Sequence, residues 1–247
     1  MNVFKMNTFK TIRQRPGPKT AKAAETRERI LDVAISLSVE RGYAAATMRE
    51  IADRAQVSLG NAYYYFPSKE HLVQGFYARC HRDHRAACGP LLAATPAFRD
   101  RLRGALAVWQ DQIDPFHAFA GALFRTAADP GSPLNPFSGE SAGVRDDAIA
   151  LFREIVNGSR DSFPADVKPF LPVLLWTFHM GIVLFWIHDG SPGARRTRAL
   201  IDRGVGLICA LLAVADLPGL GPARRAALQL LADVLPLSPP TNQEDPE

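Results

Sequence analysis

Cysteine is scarce in this 247-residue chain: Cys80, Cys88 and Cys209 are an odd number set far apart. A disulfide framework is thereby excluded, and the three read as reduced thiols. Strand signals are missing as well, since no useful stretch alternates apolar and polar residues; a β-sandwich or barrel is excluded. There is no Gly-rich phosphate loop, no Ser/His/Asp order and no carboxylate pair in a plausible cleft, so the chain reads as a non-enzyme without cofactor. Only one long apolar run exists, residues 170–187. Its 18 residues lie near the lower limit for a bilayer crossing. The run also holds Pro172, Thr177 and His179, and an intramembrane histidine is costly without a partner. Burial between a domain core and a subunit interface explains it equally, and no membrane partner is expected. Lys5 and Lys10 interrupt any secretory leader, which points to a cytoplasmic protein.

What the chain does have is helix punctuation. Residues 47–72 read TMREIADRAQVSLGNAYYYFPSKEHL. Thr47 with Glu50 three positions on is a capping box, so a helix starts at Met48. Gln56-Val57-Ser58 breaks it, and Ser58 is placed to cap a second helix from Leu59 to about Phe66. Two short helices about a tight turn outline a helix-turn-helix. At about 100° per residue, Ala62 and Phe66 face a core with Ile30, Leu31, Ala34, Leu37, Ile51 and Val57. Gly60, Tyr63 and Tyr64 are left outward. Adjacent solvent-facing tyrosines suit a major groove, where the ring meets thymine methyls or sugar and the hydroxyl a phosphate or base edge. Packing in a core or protein interface is the alternative, above all for Tyr65. Thr47 and Lys69, at helix N-termini, are placed for phosphates, with Ser58 and Asn61 as short polar donors on the flank. Thr47 and Ser58 would cap helices in any case.

Charge follows the same division. Residues 1–85 hold 15 Lys/Arg against 8 Asp/Glu, a net +7, whereas the remainder holds 14 against 17, a net −3. A basic arm over residues 1–19 can neutralise phosphates or reach an adjacent groove, or simply aid solubility.

These residues resemble the TetR family of bacterial transcriptional regulators. The likeness is carried by Gly42-Tyr43, Thr47, Ile51-Ala52, Ala55, Val57-Ser58, Gly60, the run Tyr63 to Phe66, then Pro67-Ser68-Lys69-Glu70 and Leu72, and covers about residues 25–75. Leu59 and Ala62 depart from its usual polar or basic and larger aliphatic residues. The resemblance implies DNA contacts by Thr47, Tyr63, Tyr64 and Lys69. It also implies a small-molecule pocket in the following helices and a four-helix bundle between subunits from the last two long ones.

The expected fold is all-α: a helix-turn-helix domain over residues 20–68 joined to a larger helical ligand-binding and dimerisation domain over 69–235, with a disordered tail at 236–247. Helices are expected over about 69–87, 97–113, 116–128, 140–157, 168–188, 195–215 and 222–235, with Leu212 on the bundle face. Candidate effector contacts are Trp109, His117, Phe119, Phe124, Arg125, Phe178 and His179, each of which would also serve as core. Cys80, His81, His84 and Cys88 share a helix, but eight residues span about 12 Å, too far for both sulfurs to hold one ion. The functional expectation is a homodimeric repressor that binds a palindromic DNA operator and is released by a small apolar or aromatic ligand. The alternative is an architectural or partner-signalling DNA-binding protein of the same fold without an inducer.

Overall fold

The computed structural model describes residues 20–215 and 219–234, with backbone alone at Ala118, Ala122, Arg125, Ala232 and Val234. The arm at 1–19 and the tail at 236–247 lie outside the described residues. All regular structure among the described residues is helical. The chain forms two compact units, one from the described residues up to Phe76 with Thr126–Ser141, the other from Tyr77–Arg125 and the described residues from Ala142 on.

In the first unit, α1 (Ala21–Arg41) begins at Thr20, whose hydroxyl accepts the Ala23 N–H at 3.2 Å. It ends at Gly42, where φ is 87° and the backbone N–H returns to the Ser38 carbonyl. Glycine reaches that left-handed region without steric cost. The capping box of α2 (Met48–Arg54) is complete: Thr47 Oγ1 accepts the Glu50 N–H at 3.2 Å, and the Glu50 carboxylate accepts the Thr47 N–H at 3.1 Å. Such a cap stabilises by about 1 kcal/mol. Gln56 turns the chain at φ 54°, and Ser58 Oγ accepts the Asn61 N–H at 3.1 Å to start α3 (Leu59–Tyr65). Ile30, Leu31, Ile51, Ala52, Ala62 and Phe66 close the core, each buried, while Val57 is half-buried. The first turns of α4 (Lys69–Ala94) pack closely on it. A Cβ at Gly75 would lie 2.9 Å from the Phe66 ring, so a side chain there would force them apart.

In the second unit α4 runs well past residue 87, with Gly89-Pro90 inside it. A proline inside a helix removes one hydrogen bond, but tertiary contacts outweigh that loss. Leu91 fills the space left by Gly104, Leu92 packs on the core, and Arg101 caps the helix end. The Arg101 guanidinium, buried, donates to the carbonyls of Leu92 and Thr95 at the end of α4 and of Glu154 and Ile155 at the end of α7. One cation thus satisfies the orphan acceptors and faces the negative dipole ends of two helices.

The core of this unit is made by α5 (Phe98–Ile113), α7 (Ala142–Asn157), α8 (Leu171–Ile187) and α9 (Arg195–Ala215), with α6 (His117–Ala127) and α10 (Gly221–Val234) beside them. Leu102, Leu106, Ile155, Trp176, Ile182 and Val205 lie at its centre. Asp189 caps the start of α9, accepting from the backbone and hydroxyl of Thr197 at 2.9 and 2.8 Å. No helix among the described residues is long and apolar enough to cross a membrane.

One expectation is corrected here. Leu212 packs toward the core, and the open stripe of α9 is Leu207, Leu211 and Val214, 60%, 58% and 49% exposed. These fall at i, i+4 and i+7, one face of a helix. Leu184 and Phe185 are exposed on α8 in the same way.

Candidate functional site

The surface of α3 is set by three buried or capping residues. Ala62 and Phe66 point into the core, Ser58 fixes the first turn, and the opposite face is then presented to solvent. There Tyr63 is 45% and Tyr64 63% exposed, with Tyr64 held edge-on to Tyr65 at 5.2 Å between ring centroids. Gly60 and Asn61 are exposed beside them, and nothing lies within 4 Å of where a Gly60 Cβ would be. The arrangement offers two aromatic hydroxyls, an amide and an unobstructed stretch of backbone on one face. Thr47 is exposed at the start of α2.

Lys69 is more occupied than its sequence position suggests. Its ammonium donates to the carbonyls of Tyr43 and Ala44 and lies 4.3 Å from the Tyr43 ring centroid. Burial lowers its pKa, against the pull of Glu70. Burial also pushes the Tyr43 hydroxyl up to about 12. Lys69 therefore locks the turn before α2, with one ammonium N–H left over, since lysine carries three.

The effector candidates fall into separate groups. Trp109 meets the His179 ring edge-on at 4.7 Å and the Trp186 ring at 5.7 Å. His117 stacks edge-on against Trp186 at 4.9 Å and donates from Nε2 to the Trp186 carbonyl at 2.7 Å. Phe119 is buried, and Phe124 sits against His188. Phe178 is elsewhere: a Cβ at Gly204 would lie 2.6 Å from its ring, so it fills the α8–α9 contact. The Arg125 side chain lies outside the described residues.

His179 is 7% exposed, and neither ring nitrogen has a hydrogen-bond partner among the described residues. Burial, with the nearby His84 and His81, lowers its pKa to about 3. Phe152 of α7 stands 5.7 Å away, and among the described residues His81 Nε2 is likewise buried without a partner. On the cysteine-bearing face, His84 donates to the Ala105 carbonyl at 2.8 Å. Burial pushes the Cys88 thiol up to about 11. Among the described residues no cluster of three or more His, Cys, Asp or Glu is placed to hold a metal.

A capped helix-turn-helix head followed by a separate helical domain defines a DNA-binding regulator of transcription. Residues 30–75 match the family described as bacterial regulatory proteins, tetR family, and residues 101–223 match the tetracyclin repressor-like C-terminal domain. The chain belongs to the TetR family. Among its relatives, the transcriptional repressor KstR of Rhodococcus jostii is 49% identical over 55 residues, 22% of this chain and 26% of that protein. KstR2 of the same organism is 31% identical over 112 residues, 40% of this chain and 55% of that protein. The chain thus spans about a quarter to a half of the length of these relatives. A solved TetR-family regulator from Syntrophomonas wolfei superposes with TM-score 0.59 at 16% identity, covering 79% of this chain and 98% of that one. Thermus thermophilus FadR, solved with lauroyl-CoA, gives 0.53 at 22% identity, covering 77% and 95%. At such identities the likeness is one of fold.

Proposed function

We propose that the chain is a homodimeric transcriptional repressor that reads a palindromic operator with α3 and is released by a small, largely apolar effector bound in the larger unit. The observation that carries the reading is the exposed Tyr63–Tyr64 pair behind the open Gly60 backbone on a short, capped helix. In this assignment Tyr63, Tyr64, Gly60 and Asn61 meet the major groove. Thr47, Ser58 and the remaining N–H of Lys69 meet phosphates, which position the reading helix but carry no sequence information. The apolar stripes of α8 and α9 are the surface for a second copy, since closed two-fold pairing is the usual way to cover such a face. Two half-sites, each held weakly, then act together only while the dimer holds. KstR and KstR2 are repressors by name, which supports the repressor reading, and FadR was solved with lauroyl-CoA, whose acyl chain supports an effector with an apolar part.

The test is Tyr64→Ala, assayed on the operator retained by the protein from fragmented genomic DNA. Loss of one good base contact is expected to weaken specific binding by about 1–3 kcal/mol, with the helical signal and dimer unchanged. A folded variant with wild-type operator affinity refutes the assignment of α3. Scattered binding without a palindrome, and no release by any ligand, would favour an architectural role.

A further inference from the structure

His179 is out of keeping with its surroundings. It sits on the most apolar of the described helices, buried, with two ring nitrogens that no described residue satisfies. A neutral imidazole carries one donor and one acceptor, and leaving both unmade in a dry core is costly. His81 of α4 is bonded to the Asp147 backbone through its other nitrogen, which leaves its Nε2 buried without a partner among the described residues, and it lies close enough to His179 to help lower the pKa there. Trp109 and Phe152 complete the spot with aromatic walls at 4.7 and 5.7 Å from the His179 ring. Orphaned donors and acceptors bounded by aromatic rings from several helices have the composition of a ligand site, mostly apolar with a few placed polar groups.

We propose that His179 and His81 are the polar contacts of the effector site, and that the ligand taken there is uncharged, with a carbonyl or hydroxyl carried on an apolar body. The inference rests on the effector-responsive reading above and names the class of ligand that reading needs. A carbonyl would accept from the His179 N–H, and a hydroxyl would satisfy either His179 nitrogen or donate to the His81 Nε2. Burial keeps both rings neutral at ordinary pH, so neither offers a counter-charge to an ionised carboxylate, which would be desolvated at large cost.

The experiment compares the full-length protein with His179→Phe and His179→Gln by thermal unfolding, alone and with 2-dodecanone, 1-dodecanol, dodecane or dodecanoate. Without probe, His179→Phe should melt about 3–8 °C higher than wild type, because it removes an unsatisfied buried polar group. The ketone and alcohol should raise the wild-type midpoint more than dodecane or dodecanoate, do so partly in His179→Gln, and fail to do so in His179→Phe. A lower midpoint for His179→Phe without probe overturns the site, since the imidazole then has a partner such as a buried water. Dodecanoate as the best stabiliser, or no response to ketone and alcohol, overturns the ligand class. Equal stabilisation of all three proteins overturns the role of His179 while sparing effector binding. A ketone that binds through His179 yet leaves operator affinity unchanged overturns the effector-responsive reading and spares the site.

Discussion

Mild acid should destabilise the larger unit well before its carboxylates titrate. His84 is 4% exposed and His179 7%, and burial lowers their pKa values to about 4 and about 3. A histidine in the unfolded chain titrates near 6.5. Below that pH the unfolded chain takes up protons that the folded one refuses. The stabilisation is therefore complete above about pH 6.5 and is lost as pH falls toward the folded values. Each group contributes about 1.4 kcal/mol per pH unit, so the two together contribute about 2.7. From pH 7.5 to 5 the loss is about 4 kcal/mol, a large part of the roughly 5–15 kcal/mol of a typical fold. His81, lowered chiefly by burial, acts with the same sign. The assay is urea unfolding at pH 7.5, 6 and 5 followed by tryptophan fluorescence, since Trp109, Trp176 and Trp186 all lie in this unit. His179→Phe should flatten the dependence by about 1.4 kcal/mol per pH unit. A urea midpoint that is the same at pH 7.5 and 5 refutes the argument.

Two further predictions concern assembly and DNA. Leu211→Glu, in the middle of the open stripe of α9, should give a folded monomer in sedimentation and reduce operator affinity at least tenfold, about 1.4 kcal/mol; a variant that stays dimeric removes this face from the interface. Lys69→Ala should weaken binding to all sequences alike and lower the slope of log affinity against log salt by about one, whereas an unchanged slope would confine Lys69 to holding the Tyr43–Ala44 turn.

The head was legible because each decision in it is local. Thr47, Glu50 and Ser58 set helix starts within four residues of themselves, and the outward direction of Tyr63 and Tyr64 follows from Ala62 and Phe66 facing inward. Helix bounds in the larger unit were legible for the same reason, and α9 runs over 195–215 as its punctuation implies. What escaped were matters decided by distant residues. The continuation of α4 past Pro90 depends on Arg101 and Gly104, which no pattern near residue 90 announces. Leu211 and Leu212 are adjacent and both leucine; which faces inward depends on how α9 rotates against α5 and α8. His179 was a candidate by position, but its isolation shows only when Phe152 and His81 are seen beside it.

The segment between α6 and α7 tests how far chain order misleads. It follows one helix of the larger unit and precedes another, and nothing in its sequence attaches it to the head. Residues Thr126–Ser141 nevertheless belong to the compact unit that contains α1 to α3. Their loop is internally tied: the Pro133 carbonyl accepts from Ser138 Oγ at 3.3 Å and Ser141 Oγ at 3.0 Å. Gln74 of α4 donates to the same oxygen at 3.2 Å. Leu134, within this loop, is 1% exposed. The chain therefore passes between the two units at residues 76–77, 125–126 and 141–142. Removing a fully buried leucine side chain costs about 2–5 kcal/mol. If the loop is structurally part of the head, Leu134→Ala should charge that loss to α1–α3. Hydrogen exchange resolves the question amide by amide: protection should fall in α2 and α3 and be unchanged in the central turns of α5 and α8. Loss of protection in α6 and α7 with the head unaffected would return the loop to the helices that flank it.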